Sequence, residues 1–306
     1  MSYRKERFKS TDVSDYTTSK TYLDKLEDQL GEEDLRRLFL DILSDGVHGL
    51  CFSLYEEGQK PGDVVSEDQI RRRMQILAPY TSSIRSFSCT EGNEIIPKIA
   101  KEFGLKTLVG AWLGSDKEKN EEELQGLEDL ANLGLVDIAA VGNEVLYRND
   151  LSEDELTTYL EEIKQKIPDT PVGYVDAYYE FVTRPKLVEL SDVILCNCYP
   201  YWEGTEFKYS LRHMQHMYEQ VVNMAQGKPV YITETGWPSA GKSLGGAMPS
   251  HSNAMKYFIN TYAWAKSEGV GVYYFSSFDE SWKIGNEGDV GAYWGIWDKN
   301  GNLKYQ

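Results

Sequence analysis

The sequence predicts an α/β fold of the (β/α)8, or TIM barrel, class over residues 46–306, with a short charged N-terminal extension over residues 1–45. Three observations carry the prediction. Eight apolar runs of strand length alternate with amphipathic segments of helix length, the pattern of βα units whose strands lie parallel. The stretch that holds them has the length usual for such a barrel, about 250 residues. A doubly wound open sheet, the rival architecture, normally shows a glycine-rich turn after its first strand, and His48-Gly49-Leu50-Cys51-Phe52-Ser53 is followed by none.

The elements follow in chain order. Within the charged first 45 residues, 22–43 is helix-like: Leu23, Leu26, Leu30, Leu35 and Leu38 recur imperfectly at helical spacing, which reads as a partly ordered cap. Strands are expected at 47–53, 83–88, 106–111, 136–141, 172–175, 193–197, 229–233 and 270–276. Between them, Ser66 with Gln69 and Ser152 with Glu155 are spaced as reciprocal capping boxes, so helices should start there. Behind these starts Ile70, Met74 and Leu77 line one face, as do Leu156, Leu160 and Ile163. A third stripe, Leu211, Met214, Met217, Tyr218, Val221 and Val222, is also read as barrel packing.

Charge excludes whole classes of function. Against 32 Lys and Arg stand 49 Asp and Glu, a net −17 that repels phosphate backbones and anionic bilayers, so neither nucleic acid nor membrane is expected as a partner. A neutral substrate is indifferent to that sign, and 7 Trp, 21 Tyr and 10 Phe offer it apolar faces with polar edges. The start, MSYRKERFKSTDVSDYTTSK, has no apolar core after its basic residues, and no later run approaches a membrane span. A soluble chain is expected, cytoplasmic or with its leader removed, and monomeric. Cys51, Cys89, Cys196 and Cys198 lack the spacing of a disulfide scaffold and are expected as buried thiols. Cys196 and Cys198 share a strand face without the further ligands a zinc site needs, so no metal and no cofactor is expected.

In a barrel of this class the chemistry stands at the C-terminal ends of the strands, so polar residues directly after apolar runs are the informative ones. Glu144 ends the fourth run and Glu234 the seventh, and both would point into one mouth. Two carboxyl groups facing each other across a cleft can divide the work of cleaving a glycosidic bond, one as acid and one as nucleophile. Placement alone leaves another reading open, in which two of 49 acids end strands as helix caps or salt-bridge partners.

The stretch VYITETGWPSA at 230–240 resembles the signature of the family 17 glycoside hydrolases, the β-1,3-glucanases, in which the Glu before Thr-Gly-Trp-Pro-Ser is the nucleophile. Gly142-Asn143-Glu144 is similar to the Asn-Glu pair that supplies the acid/base in the wider clan. The resemblance covers residues 47–305, including Ile84-Arg85-Ser86-Phe87, Asn197-Cys198-Tyr199-Pro200-Tyr201 and Phe278-Asp279-Glu280-Ser281-Trp282-Lys283. It implies a retaining enzyme acting on β-1,3-glucan of the laminarin type, with Glu144 as acid/base and Glu234 as nucleophile. The charged leader and several stretches look closer to bacterial or lower fungal members than to plant ones. A glucanosyltransferase or an exo-acting β-1,3-glucosidase is therefore the alternative, and a non-catalytic glucan-binding protein ranks below both, since such proteins usually lose an acid.

The same resemblance implies supporting roles. Asn143 would hold a sugar hydroxyl, its alternative being a turn residue. Arg85 and Tyr199 would lie beside the nucleophile, keeping it ionised and aimed, with a core ion pair and a buried Tyr as the alternatives. Glu280 and Lys283 would line the cleft, with a plain surface salt bridge as the alternative. Tyr178, Tyr201, Trp202 and Trp282 follow strands and suit a sugar-stacking cleft, with core packing as the alternative for each. The four histidines do not converge, and His213 and His216 read as a solvated helix face. Finally, Gly236-Trp237-Pro238-Ser239-Ala240-Gly241-Lys242-Ser243 satisfies the phosphate-loop pattern, but Leu244-Gly245-Gly246-Ala247-Met248-Pro249 is a poor helix start. A loop arching over the cleft is expected there instead.

Overall fold

Runs that are apolar on both faces suit strands enclosed by helices on one side and by each other on the other. In the computed structural model, which describes residues 30–306, they form a closed barrel of eight parallel strands in chain order, the last pairing with the first. The strands are β1 (Gly49–Cys51), β2 (Ser83–Ser86), β3 (Lys106–Ala111), β4 (Ile138–Asn143), β5 (Val172–Ala177), β6 (Ile194–Asn197), β7 (Val230–Thr235) and β8 (Gly271–Tyr274). All eight expected runs are strands. Three of them, β4, β5 and β7, continue past the apolar residues to Asn143, Ala177 and Thr235, because ladder bonds do not require apolar side chains at the barrel mouth.

The helices are α1 (Glu32–Ser44), α2 (Glu67–Leu77), α3 (Ile95–Glu102), α4 (Lys117–Asn132), α5 (Val145–Arg148), α6 (Glu153–Lys166), α7 (Tyr178–Thr183), α8 (Pro185–Leu190), α9 (Ser210–Met224), α10 (His251–Glu268) and α11 (Ile284–Glu287). Ser152 and Glu155 cap α6 reciprocally, as expected. At α2 only half of the box forms. Gln69 N–H donates to Ser66 Oγ, but the Gln69 side chain turns inward and donates to the Leu54 carbonyl at 3.0 Å, a buried acceptor that outcompetes the exposed cap. The inward stripes of α2 and α6 are fully buried, whereas on α9 Val222 stands 43 % exposed beyond the stripe's edge. His213 on the same helix is buried against Glu203 and not solvated, since it faces the loop after β6. The four cysteines are buried free thiols. No described helix is long and apolar enough to cross a membrane.

After β8 comes only the four-residue α11 among short turns, where the earlier units place longer helices. The helix preceding β1 fills that gap in the ring. Residues 22–29 of the expected helix lie outside the described residues; within them α1 starts after Gly31, with Glu32, Glu33 and Asp34 in the first turn complementing its dipole. Its buried face is Leu35, Phe39 and Leu43, while Leu38 is half-buried. The Phe39 ring lies 4.8 Å from Phe258 of α10 and 5.0 Å from Tyr305 near the C-terminus. Phe39→Ala is therefore expected to cost about 3–5 kcal/mol, the loss typical of a large core side chain. Denaturant unfolding checks this, and a loss below about 0.5 kcal/mol would mean that α1 is a surface appendage.

The phosphate-loop look-alike stays irregular, and α10 begins only at His251. The loop is pinned instead: Tyr201 Oη donates to the Lys242 carbonyl and Lys242 N–H to Asp289. Gly236, its first glycine, is needed for close approach, since a Cβ there would sit 2.1 Å from the Phe275 carbonyl oxygen beyond β8.

Candidate active site

Strict alternation along β7 would turn Glu234 out of the barrel, because Tyr231 at the bottom packs inward against His48. The register breaks instead. Cys196 pairs with Ile232 but Asn197 pairs with Glu234, and a second irregularity against β8 falls between Ile232 and Thr235. The extra residue brings Thr233 and Glu234 both to the mouth, while Thr235 bonds to Tyr257 of α10 outside. A matching irregularity in β4 lies between Ala140 and Asn143 and precedes Glu144. Each of the two glutamates thus stands where a bulge re-aims the strand end.

Arg85, at 1 % exposure on β2, ties the two strands together. Its guanidinium donates to Glu234 Oε1 at 2.6 Å, to Asn143 Oδ1 at 2.6 Å and to the Thr233 carbonyl at 3.0 Å, and it lies 4.2 Å from the Phe87 ring. Burial pulls the Arg85 pKa down, but Glu234 and Cys51 outweigh it and the net shift is upward, so the cation is retained. Tyr199 Oη donates to the other oxygen, Glu234 Oε2, at 2.9 Å. Burial and then the Glu234 charge push that phenol well above its ordinary range, which keeps it a donor. Asn197 spans the cleft: its Nδ2 donates to Glu144 Oε1 at 2.9 Å and its Oδ1 accepts from Thr233. Glu144 and Glu234 therefore share one mouth, linked through Asn197 on one side and through Arg85 and Asn143 on the other.

Glu280 and Lys283 form a 2.7 Å pair whose side chains are 3 % and 9 % exposed, so the surface salt bridge is excluded. Glu280 is fixed by the Tyr55 N–H, and the Lys283 ammonium lies 4.2 Å from the Phe275 ring. Burial alone would lower the Lys283 pKa; Glu280, Glu287 and Glu234 raise it instead. The aromatics divide. Trp202 is half-buried against Tyr201 and Trp294, and Trp282 is half-buried with its edge to Tyr55. Tyr201 is 1 % exposed and packs among Trp202, Trp237 and Trp294, which removes its ring from any stacking surface. Tyr178 is likewise buried, and it opens α7 instead of lying in a loop.

Two residues of the mouth escaped sequence reasoning, Asn197 and Trp112. Both carry the signal used for the acids, a polar or aromatic residue at the end of an apolar strand run. Trp112 follows β3, is 41 % exposed, and has the Arg148 guanidinium 4.5 Å from its ring.

The BtgE/BtgC glycoside hydrolase domain matches residues 49–295, a span that contains all eight strands. The chain belongs to this family. Among curated relatives, a glucan 1,3-beta-glucosidase of Schizosaccharomyces pombe is 29 % identical over 252 residues, 76 % of this chain and 78 % of that protein. A glucan 1,3-beta-glucosidase of Saccharomyces cerevisiae is 27 % identical over 269 residues, 80 % of this chain and 86 % of that one. Among solved structures, an active-site mutant of the Rhizomucor miehei beta-1,3-glucanosyltransferase in complex with laminaritriose superposes with a TM-score of 0.76 at 28 % identity, covering 85 % of this chain and 96 % of the other. A second structure, of a glycoside hydrolase family 17 beta-1,3-glucanosyltransferase from Rhizomucor miehei, superposes with a TM-score of 0.75 at 28 % identity, covering 85 % of this chain and 96 % of the other, so the BtgE/BtgC match and the resemblance read from the Thr-Gly-Trp-Pro-Ser motif point to the same place.

Proposed function

We propose that this chain is a retaining glycoside hydrolase acting on β-1,3-glucan, with Glu144 as acid/base and Glu234 as nucleophile. The observation that carries the reading is the difference between the two carboxyl environments. Glu234 is buried, paired with a guanidinium and fixed at both oxygens, as an ionised group aimed at one point must be. Glu144 is more open and accepts from the neutral amide of Asn197.

In the first step the Glu144 carboxylic acid gives its proton to the glycosidic oxygen while a Glu234 oxygen attacks the anomeric carbon from the opposite face, forming a glycosyl ester. Glu144, now a carboxylate, then takes the proton of the incoming hydroxyl, which attacks the same carbon and frees Glu234. Two inversions give net retention. In this reading Asn143, held by Arg85, binds the hydroxyl next to the reacting carbon, and Glu280, Lys283, Trp202, Trp282 and Trp112 meet the neighbouring sugars.

Water and a sugar hydroxyl are interchangeable in the second step, and the similarity to a glucanosyltransferase favours transfer as the second reading. Incubation with laminari-oligosaccharides separates them. Products longer than the starting sugar are expected for transfer, new reducing ends in proportion to bond cleavage for hydrolysis, and glucose alone at early times for exo action. If the first anomer released from laminarin, followed by NMR, were α, the retaining mechanism would be wrong. Binding to insoluble β-1,3-glucan without any cleavage would leave a glucan-binding protein.

A further inference from the structure

We infer that Tyr174 and Asp176 are positioning residues for the acid/base: from β5 they hold the main chain of residues 144–147, so that Glu144 keeps a left-handed backbone with its carboxyl group in the cleft. The inference rests on the assignment of Glu144 proposed above.

Glu144 has φ 53° and ψ 30°, a left-handed conformation that strains a residue with a Cβ and persists only where the surroundings over-determine it. Gly142, two residues earlier, is also left-handed at φ 85°, and a Cβ on it would stand 3.4 Å from the Tyr174 ring. Between them the chain hooks out of β4 into the short helix α5, of which Glu144 is the N-cap. An N-cap residue ordinarily uses its own side-chain oxygen to accept from the first amides of its helix. Glu144 makes no such cap, and its carboxyl accepts from Asn197 in the mouth instead.

The capping is done from the neighbouring strand. The Glu144 N–H donates to the Val175 carbonyl at 2.8 Å, the Leu146 N–H to Tyr174 Oη at 3.0 Å, and the Tyr147 N–H to Asp176 Oδ2 at 3.3 Å. Tyr174 Oη in turn donates to Asp176 Oδ2, and Asp176 Oδ1 accepts from the Ala177 N–H. Both side chains are fully buried. Burial, followed by the nearby Glu144, pushes the Asp176 carboxyl well above the usual carboxylate range. Between them the two side chains accept from both amides from outside the helix. Asp176 and Tyr174 thus take over the task that would otherwise occupy the carboxyl needed for proton transfer.

The test compares Tyr174→Phe, Asp176→Asn and Asp176→Ala with the wild type on two substrates. One is laminarin, whose leaving group needs a proton. The other is 2,4-dinitrophenyl β-laminaribioside, whose phenolate leaves without one. Because kcat/KM reports the first irreversible step, it isolates acid catalysis. On laminarin it is expected to fall about 10- to 100-fold for Tyr174→Phe and Asp176→Ala, the range for a misplaced general acid, and less for the near-isosteric Asp176→Asn. On the dinitrophenyl glycoside it should fall less than about 3-fold, since only uniform binding is left to lose. A parallel fall on both substrates, or no fall on laminarin, overturns the inference. Tyr174→Phe removes one oxygen only and decides the matter if the Asp176 variants do not fold. Wild-type protein inert toward both substrates would instead sink the catalytic assignment, a failure visible before any variant is made.

Discussion

Glu234→Ala is expected to lower kcat on laminarin by about 10⁵-fold, the scale on which an enzyme loses rate when its covalent nucleophile is removed. The variant has a second consequence that follows from burial. Arg85 is 1 % exposed and Glu234 is its carboxylate partner, so alanine leaves a buried guanidinium without its counter-charge. Breaking a buried pair from one side typically costs about 3–5 kcal/mol, and the melting temperature should fall accordingly. In the proposed mechanism the void left by the side chain opens toward the anomeric carbon, next to the Arg85 cation. A small anion such as azide should enter it and restore turnover of an activated substrate, and the product should be the α-glycosyl azide, because one displacement replaces two. The assignment fails if Glu234→Ala cleaves laminarin at the wild-type rate, or if the azide product has the β configuration.

The fold and the two carboxylates were legible in the sequence for a physical reason. Parallel strands buried on both faces read as mainly apolar runs, so a carboxylate at the end of such a run marks the mouth, and both glutamates stand at such points. What the sequence concealed depends on register and on third elements. The bulge in β7 that turns Glu234 inward leaves no compositional trace in Val230–Thr235, and period-two counting would have placed the residue on the wrong face. Tyr201 looked like a cleft aromatic because it follows a strand, but Trp237 and Trp294, distant in sequence, enclose its ring. His213 shares its helix with exposed positions, yet Glu203, on the loop after β6, folds over it. The leucine spacing ahead of β1 suggested a loose cap, whereas Phe39, which is no leucine, anchors α1 in the ring. Asn197 ends an apolar run as the glutamates do, but an amide there carries no chemistry by itself, and only the fold sets it against Glu144.

Glu144→Ala should separate the two halves of the mechanism. Acid catalysis matters in proportion to the basicity of the departing oxygen, so kcat/KM on laminarin is expected to fall about 10²- to 10⁴-fold while that on a dinitrophenyl glycoside changes little. The second half-reaction also needs Glu144, as base, and the glycosyl ester on Glu234 should therefore accumulate with the activated substrate and give a burst of dinitrophenolate followed by a slow steady state. Azide needs no deprotonation. Added to this variant it should attack the accumulated ester and release the β-glycosyl azide, the opposite anomer from the one expected with Glu234→Ala. The backbone contributes a smaller effect, because alanine at 144 must still adopt φ 53°, and the caps from Tyr174 and Asp176 remain to hold it there. Stability should therefore drop by less than in Glu234→Ala, where a buried cation is left alone. If Glu144→Ala slowed laminarin and the dinitrophenyl glycoside equally, with no burst and no azide product, then Glu144 would not be the group that moves the proton.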